Sequence, residues 1–359
     1  MCLSAPHSPI HPMQALILTD AMRFSLEEIP APKAGPGEVL VAVKACGICG
    51  SDVHGMDGST GRRRPPIVMG HEAAGVIAAA GPGVTAWQEG DRVTFDSTIY
   101  CGHCEHCRRG EVNLCHHRRV LGVSCEEYRQ PGAFADYVVV PERILYRLPA
   151  SLSFAEAALI EPFTIAFHAV RRHRVQLNNS ALIIGCGMIG LALLQTARLA
   201  GYGHIVAVDT APDRLQQARD LGADDTVNTA GDRALDALLA RTGGRGFDHV
   251  FEAVGVAATV DLALRAARKG GGVTLVGNVT PQVPLPLQVV VTRELSIHGS
   301  CASAGEYPAC LDMMARGQIS AKPLLSAVAP LREGPAWFDR LHRREPGLLK
   351  VILTPEASA

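Results

Sequence analysis

The stretch Ala181-Leu-Ile-Ile-Gly-Cys-Gly-Met-Ile-Gly190 decides the fold. Four apolar residues, 181–184, lead directly into the pattern Gly-x-Gly-x-x-Gly at Gly185, Gly187 and Gly190. Glycines at this spacing permit a tight turn and a close approach of the backbone to a pyrophosphate, and a helix that begins at Met188 directs its N-terminus at that group. The stretch therefore predicts a strand, a nucleotide-binding turn and a helix.

The same alternation of strand and helix continues toward the C-terminus. Apolar runs of the kind that parallel sheets bury are separated by helical stretches. The predicted strands are residues 181–184, 205–208, 249–252 and 273–276, and the predicted helices are residues 213–221 and 260–268. This order predicts an α/β fold with a doubly wound parallel sheet.

Asp209 indicates which dinucleotide binds. It lies nineteen residues after Gly190, at the end of the next apolar strand. A carboxylate at that position accepts hydrogen bonds from the adenosine ribose hydroxyls and repels a 2′-phosphate, so the sequence favours NAD over NADP. Arg214 is close enough to serve a phosphate, but we expect it to lie along the adenine.

The N-terminal half has a different rhythm, with short strands separated by Gly and Pro. The predicted strands are residues 13–18, 38–45, 74–79, 92–94 and 134–140. Residues 1–12 contain three prolines and are predicted to be a loose leader. The apolar run at 348–353, which follows a predicted helix at 306–316, is expected to return to this β-rich domain.

Four cysteines stand close together in the β-rich half, at Cys101, Cys104, Cys107 and Cys115. Their spacing brings four thiolates to one short lobe, which suits a closed tetrahedral zinc site of structural type. The alternative is a pair of disulfides, which the lack of a secretory signal disfavours.

A second, open metal site is predicted from residues outside that lobe. Cys49 and His71 are of the ligand types that a catalytic zinc uses, and Glu72 or Glu161 completes a set of three. Cys46 competes with Cys49 for the role, and spacing alone does not separate them.

Composition excludes several classes of protein. Hydrophobic residues make up 47% of the chain and charged residues 19%, which is ordinary for a globular enzyme. A net charge of −1 gives no reason to expect nucleic acid or an anionic membrane as a partner. The uncharged stretch 180–197 approaches membrane-spanning length, but its glycines fit the nucleotide turn better. The scattered remaining cysteines favour a reducing, cytoplasmic location.

At this point the chain resembles the zinc-dependent medium-chain dehydrogenase/reductase family over nearly all of residues 13–355. The resemblance rests on the four-cysteine lobe and on three motifs, which are Cys49-Gly-Ser-Asp-Val-His54, Gly70-His-Glu-Ala-Ala-Gly75 and Gly185-Cys-Gly-Met-Ile-Gly190. It implies a GroES-like catalytic domain at 13–160 plus 301–359, with the zinc lobe at 98–118, and a Rossmann domain at 161–300. It also implies that Cys49, rather than Cys46, binds the catalytic zinc.

The resemblance is strongest to the polyol branch, which includes sorbitol, galactitol-phosphate and threonine dehydrogenases, because Glu161-Pro162 stands where simple alcohol dehydrogenases usually have a cysteine. The implied reaction is the reversible oxidation of a secondary alcohol, with hydride passing to NAD. Ser51 would relay the proton, His54 would pass it to solvent, and Asp52 would orient His71. The implied cofactor-facing positions are Ile189, Val276, Gly277 and Cys301–Ser303.

Two departures limit the predicted substrate. Sorbitol-type enzymes carry Arg-Tyr where this chain has Ala302-Ser303, and they tend to have an aromatic residue where it has Gly55. Arg62-Arg63-Arg64 is expected to be a solvated basic turn, with contact to a sugar phosphate or sugar acid as the alternative. A threonine-type dehydrogenase and a non-catalytic protein on the same fold remain alternatives. Residues 281–286 and 296–298 predict a homodimer or homotetramer.

Overall fold

The structure is a computed structural model that describes residues 12–124, 129–231 and 233–355. The predicted leader therefore lies outside the described residues except for Pro12.

The strands, numbered in chain order, are β1 Met13–Asp20, β2 Arg23–Ile29, β3 Glu38–Gly47, β4 Ile67–Val68, β5 Glu72–Ala80, β6 Arg92–Phe95, β7 Thr98–Ile99, β8 Arg119–Val120, β9 Tyr137–Pro141, β10 Leu145–Arg147, β11 Ser180–Ile184, β12 His204–Asp209, β13 Asp225–Asn228, β14 Phe247–Glu252, β15 Ala267–Leu275, β16 Ser296–Gly299, β17 Leu325–Pro330 and β18 Lys350–Thr354. The α-helices are α1 Gly50–Gly55, α2 Glu105–Arg108, α3 Phe154–Ala158, α4 Ile160–Val170, α5 Met188–Leu199, α6 Pro212–Asp220, α7 Ala234–Ala240, α8 Ala257–Ala266, α9 Leu287–Thr292, α10 Tyr307–Ala315 and α11 Gly334–His342. Short 3₁₀ helices occupy Val112–Leu114, Glu142–Ile144, Lys322–Leu324 and Leu331–Glu333.

The last strand of the described chain, β18, joins the sheet of the N-terminal domain. The strand order of this sheet is β10-β6-β5-β3-β18-β17, with β9 also paired to β3. The last strand, β18, pairs antiparallel with β3 through Ile352 opposite Gly47 and Leu353 opposite Cys46. This register places the start of β18 beside the segment that carries Cys49.

The second sheet is the predicted doubly wound parallel sheet. Its six strands run in the order β13-β12-β11-β14-β15-β16, and all five pairings are parallel. The strand order reverses between β11 and β14, so a crevice opens beyond their carboxyl ends, where Gly185 and Ala253 follow the two strands. Ligands bind at such a reversal point in open α/β sheets.

One large buried cluster joins the two halves of the chain. It includes Phe163 on α4, Leu191 on α5 and Tyr307 on α10, each fully or almost fully buried. Because α4 and α10 pack together and α4 also packs against α5, the segment after residue 300 is anchored beside the nucleotide turn. Residues 180–197 form β11 and most of α5, and no helix of the described residues is long and apolar enough to cross a membrane.

Several predicted boundaries differ from the structure by a few residues. The helix predicted at 260–268 is α8, Ala257–Ala266, and β15 begins at once at Ala267. Strand β15 therefore starts six residues before the predicted 273 and runs through the Gly-rich segment 270–272. The chain predicted as strand from 134 begins its strand only at Tyr137.

Candidate active site and metal centres

The four-cysteine lobe is a self-contained excursion from the first domain. Strands β7 and β8 pair at its base, Thr98 with Val120 and Ile99 with Arg119, so the lobe leaves and returns at one point. The four thiol sulfurs of Cys101, Cys104, Cys107 and Cys115 all lie within 4.8 Å of one another. This compact geometry needs no contribution from the rest of the chain.

The sulfur positions in the lobe fit a tetrahedral ion. Cys104 Sγ is 3.5 Å and Cys101 Sγ 3.9 Å from Cys107 Sγ. Zn–S bonds of about 2.3 Å set tetrahedral ligands about 3.8 Å apart, whereas a disulfide needs about 2.05 Å. Backbone N–H groups of Cys104 and His117 donate to Cys101 Sγ and Cys115 Sγ, as expected for sulfurs that carry negative charge. None of the nine described cysteines forms a disulfide.

A second group of ligand atoms lies in the first domain. Cys49 Sγ, one ring nitrogen of His71 and one carboxylate oxygen of Glu72 are all within 4.8 Å of one another. Cys49 is the N-cap residue of α1, and Glu72 opens β5. The fold thereby brings together residues 49, 71 and 72 from two elements.

The position of Cys46 separates it from Cys49. Cys46 lies on β3 with 1% of its surface exposed, inside an apolar core cluster. A Cβ atom at Gly70 would come within 2.8 Å of its sulfur, so Cys46 is packed against the backbone that precedes His71. It is not a member of the ligand group, and burial raises the pKa of its thiol.

Glu72 is held by a buried lysine. Lys350, the first residue of β18, donates from Nζ to both carboxylate oxygens at 2.7 and 2.6 Å, and to the carbonyl of Ile48 at 3.0 Å. Both side chains are almost fully buried, and the raised pKa of Lys350 reflects the attraction of Glu72 and Cys49 against the cost of burial. A buried charge is stable only when paired in this way.

Glu161 lies on α4 near this group but outside its 4.8 Å limit. Its Oε1 accepts a hydrogen bond from Ser97 Oγ at 3.2 Å, whereas its Oε2 is buried without a partner. Burial, which outweighs the attraction of His71, raises the pKa of this carboxyl to about 8. A buried oxygen of this kind is available to accept a hydrogen bond or to bind a cation.

Asp52 and Ser51 flank the ligand group from α1. Asp52 is fully buried, and its Oδ1 lies 3.5 Å from His71 Nδ1. Ser51 Oγ donates to Cys49 Sγ at 3.3 Å. His54 is exposed three residues further along the same helix, and no hydrogen bond among the described residues links it to Ser51. Burial and the neighbouring Arg344 lower the pKa of His54.

The expectation that residues 62–64 form a solvated basic turn is wrong for Arg63. Arg62 and Arg64 are exposed, but only 3% of the surface of Arg63 is exposed. Its guanidinium forms a buried ion pair with Asp52 at 2.8 Å. The local sequence gives no sign of this pairing, because the two residues are eleven positions apart on different elements.

The nucleotide turn adopts the geometry that its glycines require. Gly185 has φ 92°, and a Cβ at Gly190 would lie 1.7 Å from the Gly185 carbonyl oxygen, so no larger residue fits there. A Cβ at Gly187 would meet nothing within 4 Å. This glycine, the N-cap of α5, borders open space, as a turn that receives a pyrophosphate must. Met188 and Ile189 follow it, half-buried, in the first turn of α5.

Asp209 closes the other side of the turn. Its Oδ2 accepts from the Cys186 N–H at 2.7 Å and its Oδ1 from the Ala211 N–H at 3.0 Å. Arg214, on α6, lies close enough for attraction to Asp209 and donates to Gln217 and to the carbonyl of Leu348. The arginine therefore ties the nucleotide domain to the segment that leads into β18.

The remaining predicted cofactor positions lie around the same crevice. Val276 and Gly277 follow β15 and donate their N–H groups to the Glu252 carbonyl, and a Cβ at Gly277 would clash with the backbone of Val254 and Gly255. Cys301 is exposed and contacts the zinc lobe, because Asn113 Nδ2 donates to its carbonyl oxygen at 2.8 Å. The lobe thus supports the loop that crosses between the two domains.

Comparison with known proteins identifies the family. Residues 35–150 match the model of the alcohol dehydrogenase GroES-like domain, and residues 189–316 match that of zinc-binding dehydrogenases. The sorbitol dehydrogenase of Bacillus subtilis is 33% identical over 353 residues, covering 97% of this chain and 99% of that protein. The L-idonate 5-dehydrogenase of Vitis vinifera is 38% identical over 302 residues, covering 82% and 81%.

The solved structure of alcohol dehydrogenase TADH from Thermus sp. ATN1 superposes with a TM-score of 0.90 at 32% identity, covering 96% of this chain and 100% of that one. This chain belongs to the zinc-dependent medium-chain alcohol dehydrogenase family. The predicted family, fold class, cofactors NAD and zinc, and activity as an NAD-dependent zinc alcohol dehydrogenase are thereby confirmed. The domain boundaries and the roles of individual residues stay predictions.

Several residues near the centre of this dehydrogenase were missed by sequence reasoning. Lys350 is the one charged residue in the apolar run 348–353, and this lone lysine was the only available signal. Asp96 is fully buried, and burial raises the pKa of its carboxyl to about 7. Tyr307 carries a buried hydroxyl without a partner and lies within electrostatic reach of Asp96 and Glu161. No pattern in the sequence points to either of these two residues.

Proposed function

We propose that this dehydrogenase oxidises a secondary alcohol of a polyol, sugar acid or sugar phosphate, with NAD as the hydride acceptor. The observation that carries the proposal is the buried group Cys49, His71 and Glu72 in the catalytic domain of a chain that also has an open glycine turn with Asp209 beside it. Both features are needed, because the reaction requires a metal to bind the alcohol and a nucleotide site to hold the hydride acceptor.

Cys49, His71 and Glu72 are the proposed ligands of the catalytic zinc. Their atoms are mutually close, and their thiolate, imidazole and carboxylate types suit a zinc site that keeps one position open. Asp52, 3.5 Å from His71 Nδ1, leaves the opposite ring nitrogen for the metal. When bound, the ion polarises the oxygen of the substrate alcohol.

Glu161 is proposed to face the open position. Its buried, unpaired Oε2 is the oxygen best placed to accept a hydrogen bond from the substrate hydroxyl or to enter the ligand set in place of Glu72. Lys350 holds both oxygens of Glu72, so Glu72 has little freedom to move, whereas one oxygen of Glu161 is free. Ser97 fixes the other oxygen of Glu161 and orients it.

Proton removal is proposed to begin at Ser51 Oγ. This hydroxyl contacts Cys49 Sγ, so a proton that leaves an alcohol bound beside Cys49 meets it first. His54, exposed on the same helix, is the proposed exit to solvent. The zinc of the cysteine lobe is proposed to be structural, because four cysteine ligands leave no position for substrate.

Asp209 is proposed to select NAD through the adenosine ribose, with Gly185, Gly187, Gly190 and the first turn of α5 receiving the pyrophosphate. Replacing Asp209 with Asn removes a charged acceptor, and hydrogen bonds to charged groups contribute about 1.5–3 kcal/mol. We expect the KM for NAD to rise about 10–100-fold while kcat changes little. Asp220→Asn, an exposed carboxylate on α6, is the matched control. An unchanged KM for NAD in Asp209→Asn would contradict the assignment.

Two observations support the substrate class. The named relatives include a sorbitol and an L-idonate dehydrogenase, and Glu161-Pro162 occupies the place where simple alcohol dehydrogenases usually have a cysteine. Arg63 is paired with Asp52, so it is not proposed to contact an anionic group on the substrate.

The direct test is NADH formation across a panel of polyols, sugar acids, sugar phosphates and threonine. Turnover on a member of the first three groups, with about two zinc ions per chain, is the expected result. Turnover on threonine alone would replace the proposal with an amino-alcohol dehydrogenase. A metal-loaded enzyme that turns over no member of the panel would indicate a non-catalytic protein on this fold.

A homodimer or homotetramer is proposed from the edge of the six-stranded sheet. Among the described strands, β16 pairs with β15 alone, and α9 just before it exposes 63% of Leu287 and 64% of Val291. An apolar patch beside an open sheet edge favours pairing with a second copy. Light scattering that gives a monomer would remove this proposal. The nine cysteines among the described residues form no disulfide, which supports a reducing location such as the cytoplasm.

A further inference from the structure

Arg63 is the most deeply buried arginine near the proposed catalytic centre. Its side chain is 3% exposed, while its neighbours Arg62 and Arg64 are exposed. Nε and Nη2 both donate to Asp52 Oδ1, at 3.1 and 2.8 Å, and Nη1 donates to the carbonyl of Arg62 at 3.3 Å. Burying a guanidinium is costly unless its charge is paired and its donors are used, and here both conditions are met.

The same guanidinium also contacts Ser51. Nη2 donates to Ser51 Oγ at 3.2 Å, and that hydroxyl in turn donates to Cys49 Sγ at 3.3 Å. One planar group thus holds both the carboxylate that faces His71 and the hydroxyl that contacts Cys49. A lysine at position 63 would carry one compact ammonium group, which does not reproduce the planar set of donors that the guanidinium presents.

Gly55 provides the room that Arg63 occupies. A Cβ at Gly55 would lie 2.7 Å from Arg63 Cγ and 3.2 Å from Thr60 Oγ1. The Cγ atom is near the base of the side chain, so it has little freedom to move aside. The backbone of Gly55 does not need glycine, since its φ is not in the positive region. Its missing side chain is therefore explained by packing, chiefly against Arg63 and secondarily against Thr60.

We propose that Arg63 is a positioning residue of the active site, which fixes Asp52 behind His71 and Ser51 beside Cys49, and that Gly55 exists to admit it. The proposal rests on the function proposed above, because it assumes that Cys49 and His71 hold a metal. Groups that hold metal ligands from behind typically contribute 10–100-fold to metal affinity.

The test measures zinc release to a chromophoric chelator from the zinc-loaded enzyme. In Arg63→Gln we expect one of the two zinc ions to leave about 10–100-fold faster, while the lobe zinc leaves at the wild-type rate. Arg63→Lys should lie between the two, because it restores the charge without the fork. Arg62→Gln, an exposed neighbour with the same change in chemistry, should match the wild type.

The role of Gly55 is tested by a double-mutant cycle. Gly55→Ala alone should speed release of the same zinc ion, because its methyl group displaces Arg63. In an Arg63→Ala background, Gly55→Ala should add no further effect, so the two substitutions would be non-additive. Independent, additive effects would overturn the claim that the two residues share one space.

Wild-type release of both ions in Arg63→Gln would overturn the positioning role, as would equal acceleration of both ions, which indicates general destabilisation. A wild-type enzyme that binds only one zinc ion, or that turns over no alcohol, would instead count against the proposed function. The two failures are therefore distinguishable.

Discussion

The four thiols of the lobe come from fifteen residues, 101–115, whereas the proposed catalytic set comes from residues 49, 71, 72 and 161. In the lobe, backbone N–H groups of Cys107 and His116 lower the pKa of the Cys104 thiol to about 5, whereas burial raises the pKa of the Cys107 thiol to about 12. At the other centre, burial raises the pKa of the Cys49 thiol to about 12. Backbone N–H groups of the lobe itself donate to the sulfurs of Cys101 and Cys115, while the proposed catalytic set is surrounded by charges from elsewhere in the fold.

The difference shows what each centre needs. The lobe has no buried cationic side chain among its described residues and is complete within one excursion of the chain. The catalytic centre contains the buried cations Lys350 and Arg63, which pair with Glu72 and Asp52. A zinc centre that leaves one position open uses about three protein ligands rather than four cysteines. The proposed ligand Glu72 and the supporting Asp52 are buried carboxylates, and each is stabilised by a paired cation.

The largest expected effect comes from removing the thiol at the catalytic centre. Cys49→Ser should lower the zinc content from about two ions per chain to about one and reduce kcat/KM at least about 10³-fold, because several kcal/mol of charge stabilisation are lost. Zinc analysis and NADH formation on the same sample measure both. Cys46→Ser is the control, and we expect it to keep both ions, since Cys46 lies outside the ligand group. Full activity in Cys49→Ser would contradict the assignment of Cys49 as a ligand of the catalytic zinc.

The contrast between these two cysteines marks the limit of prediction from sequence. Spacing was enough to predict that the four thiols of the lobe lie together, because all of them are local in the sequence. Spacing did not decide whether Cys46 or Cys49 lies beside His71. That choice depends on how β3 pairs with β5 and on where α1 begins. The pairing of Glu72 with Lys350 spans 278 residues and follows from the return of β18 to the first sheet.

The fold itself was more predictable than the site. The glycine turn and the strand–helix alternation indicate the parallel sheet, since both are local signals. Arg63 was misread because three consecutive arginines are usually solvated, and only the three-dimensional packing against Gly55 and Asp52 shows otherwise. Tyr307 and Asp96 carry no local signal because their roles depend on tertiary contacts.

Removing the buried cation should reveal the dependence of the catalytic centre on distant charges. Lys350→Met leaves Glu72 buried without its partner, and breaking such a pair costs about 3–5 kcal/mol of unfolding free energy. Denaturant unfolding measures the loss. Lys322→Met, an exposed lysine 3.6 Å from Glu156, should change stability by less than about 0.5 kcal/mol. Equal losses in the two variants would contradict the comparison.

Loss of a cysteine from the lobe should lower the thermal stability of the protein more than its catalytic rate. Cys104→Ser opens the closed site, so one zinc ion per chain is lost and the thermal midpoint falls by about 2–4 °C for each kcal/mol of lost folding free energy. Below that temperature we expect kcat to stay within about tenfold of the wild type. Calorimetry and initial rates test the two halves of this statement. A kcat as low as that of Cys49→Ser would mean that the lobe takes part in the reaction.

The two carboxylates provide the finest test of the catalytic set. Glu72→Gln should weaken zinc binding about 10–100-fold, comparable to the loss of other polar groups at metal sites. Glu161→Gln should retain zinc and lower kcat, because its unpaired oxygen is proposed to face the substrate. Zinc competition and steady-state rates separate the two effects. The reverse pattern would assign Glu161 as the ligand and Glu72 as the supporting residue.

The central claim is that one chain holds two zinc ions of different kinds, only one of which takes part in the oxidation of an alcohol by NAD. The most direct measurement follows zinc content and NADH formation together while a chelator removes metal from the wild-type enzyme. The account predicts that activity falls in proportion to the first equivalent of zinc, while the folded enzyme retains the second. Activity that survives the loss of the first equivalent, or a fully active enzyme with a single zinc ion, would contradict it.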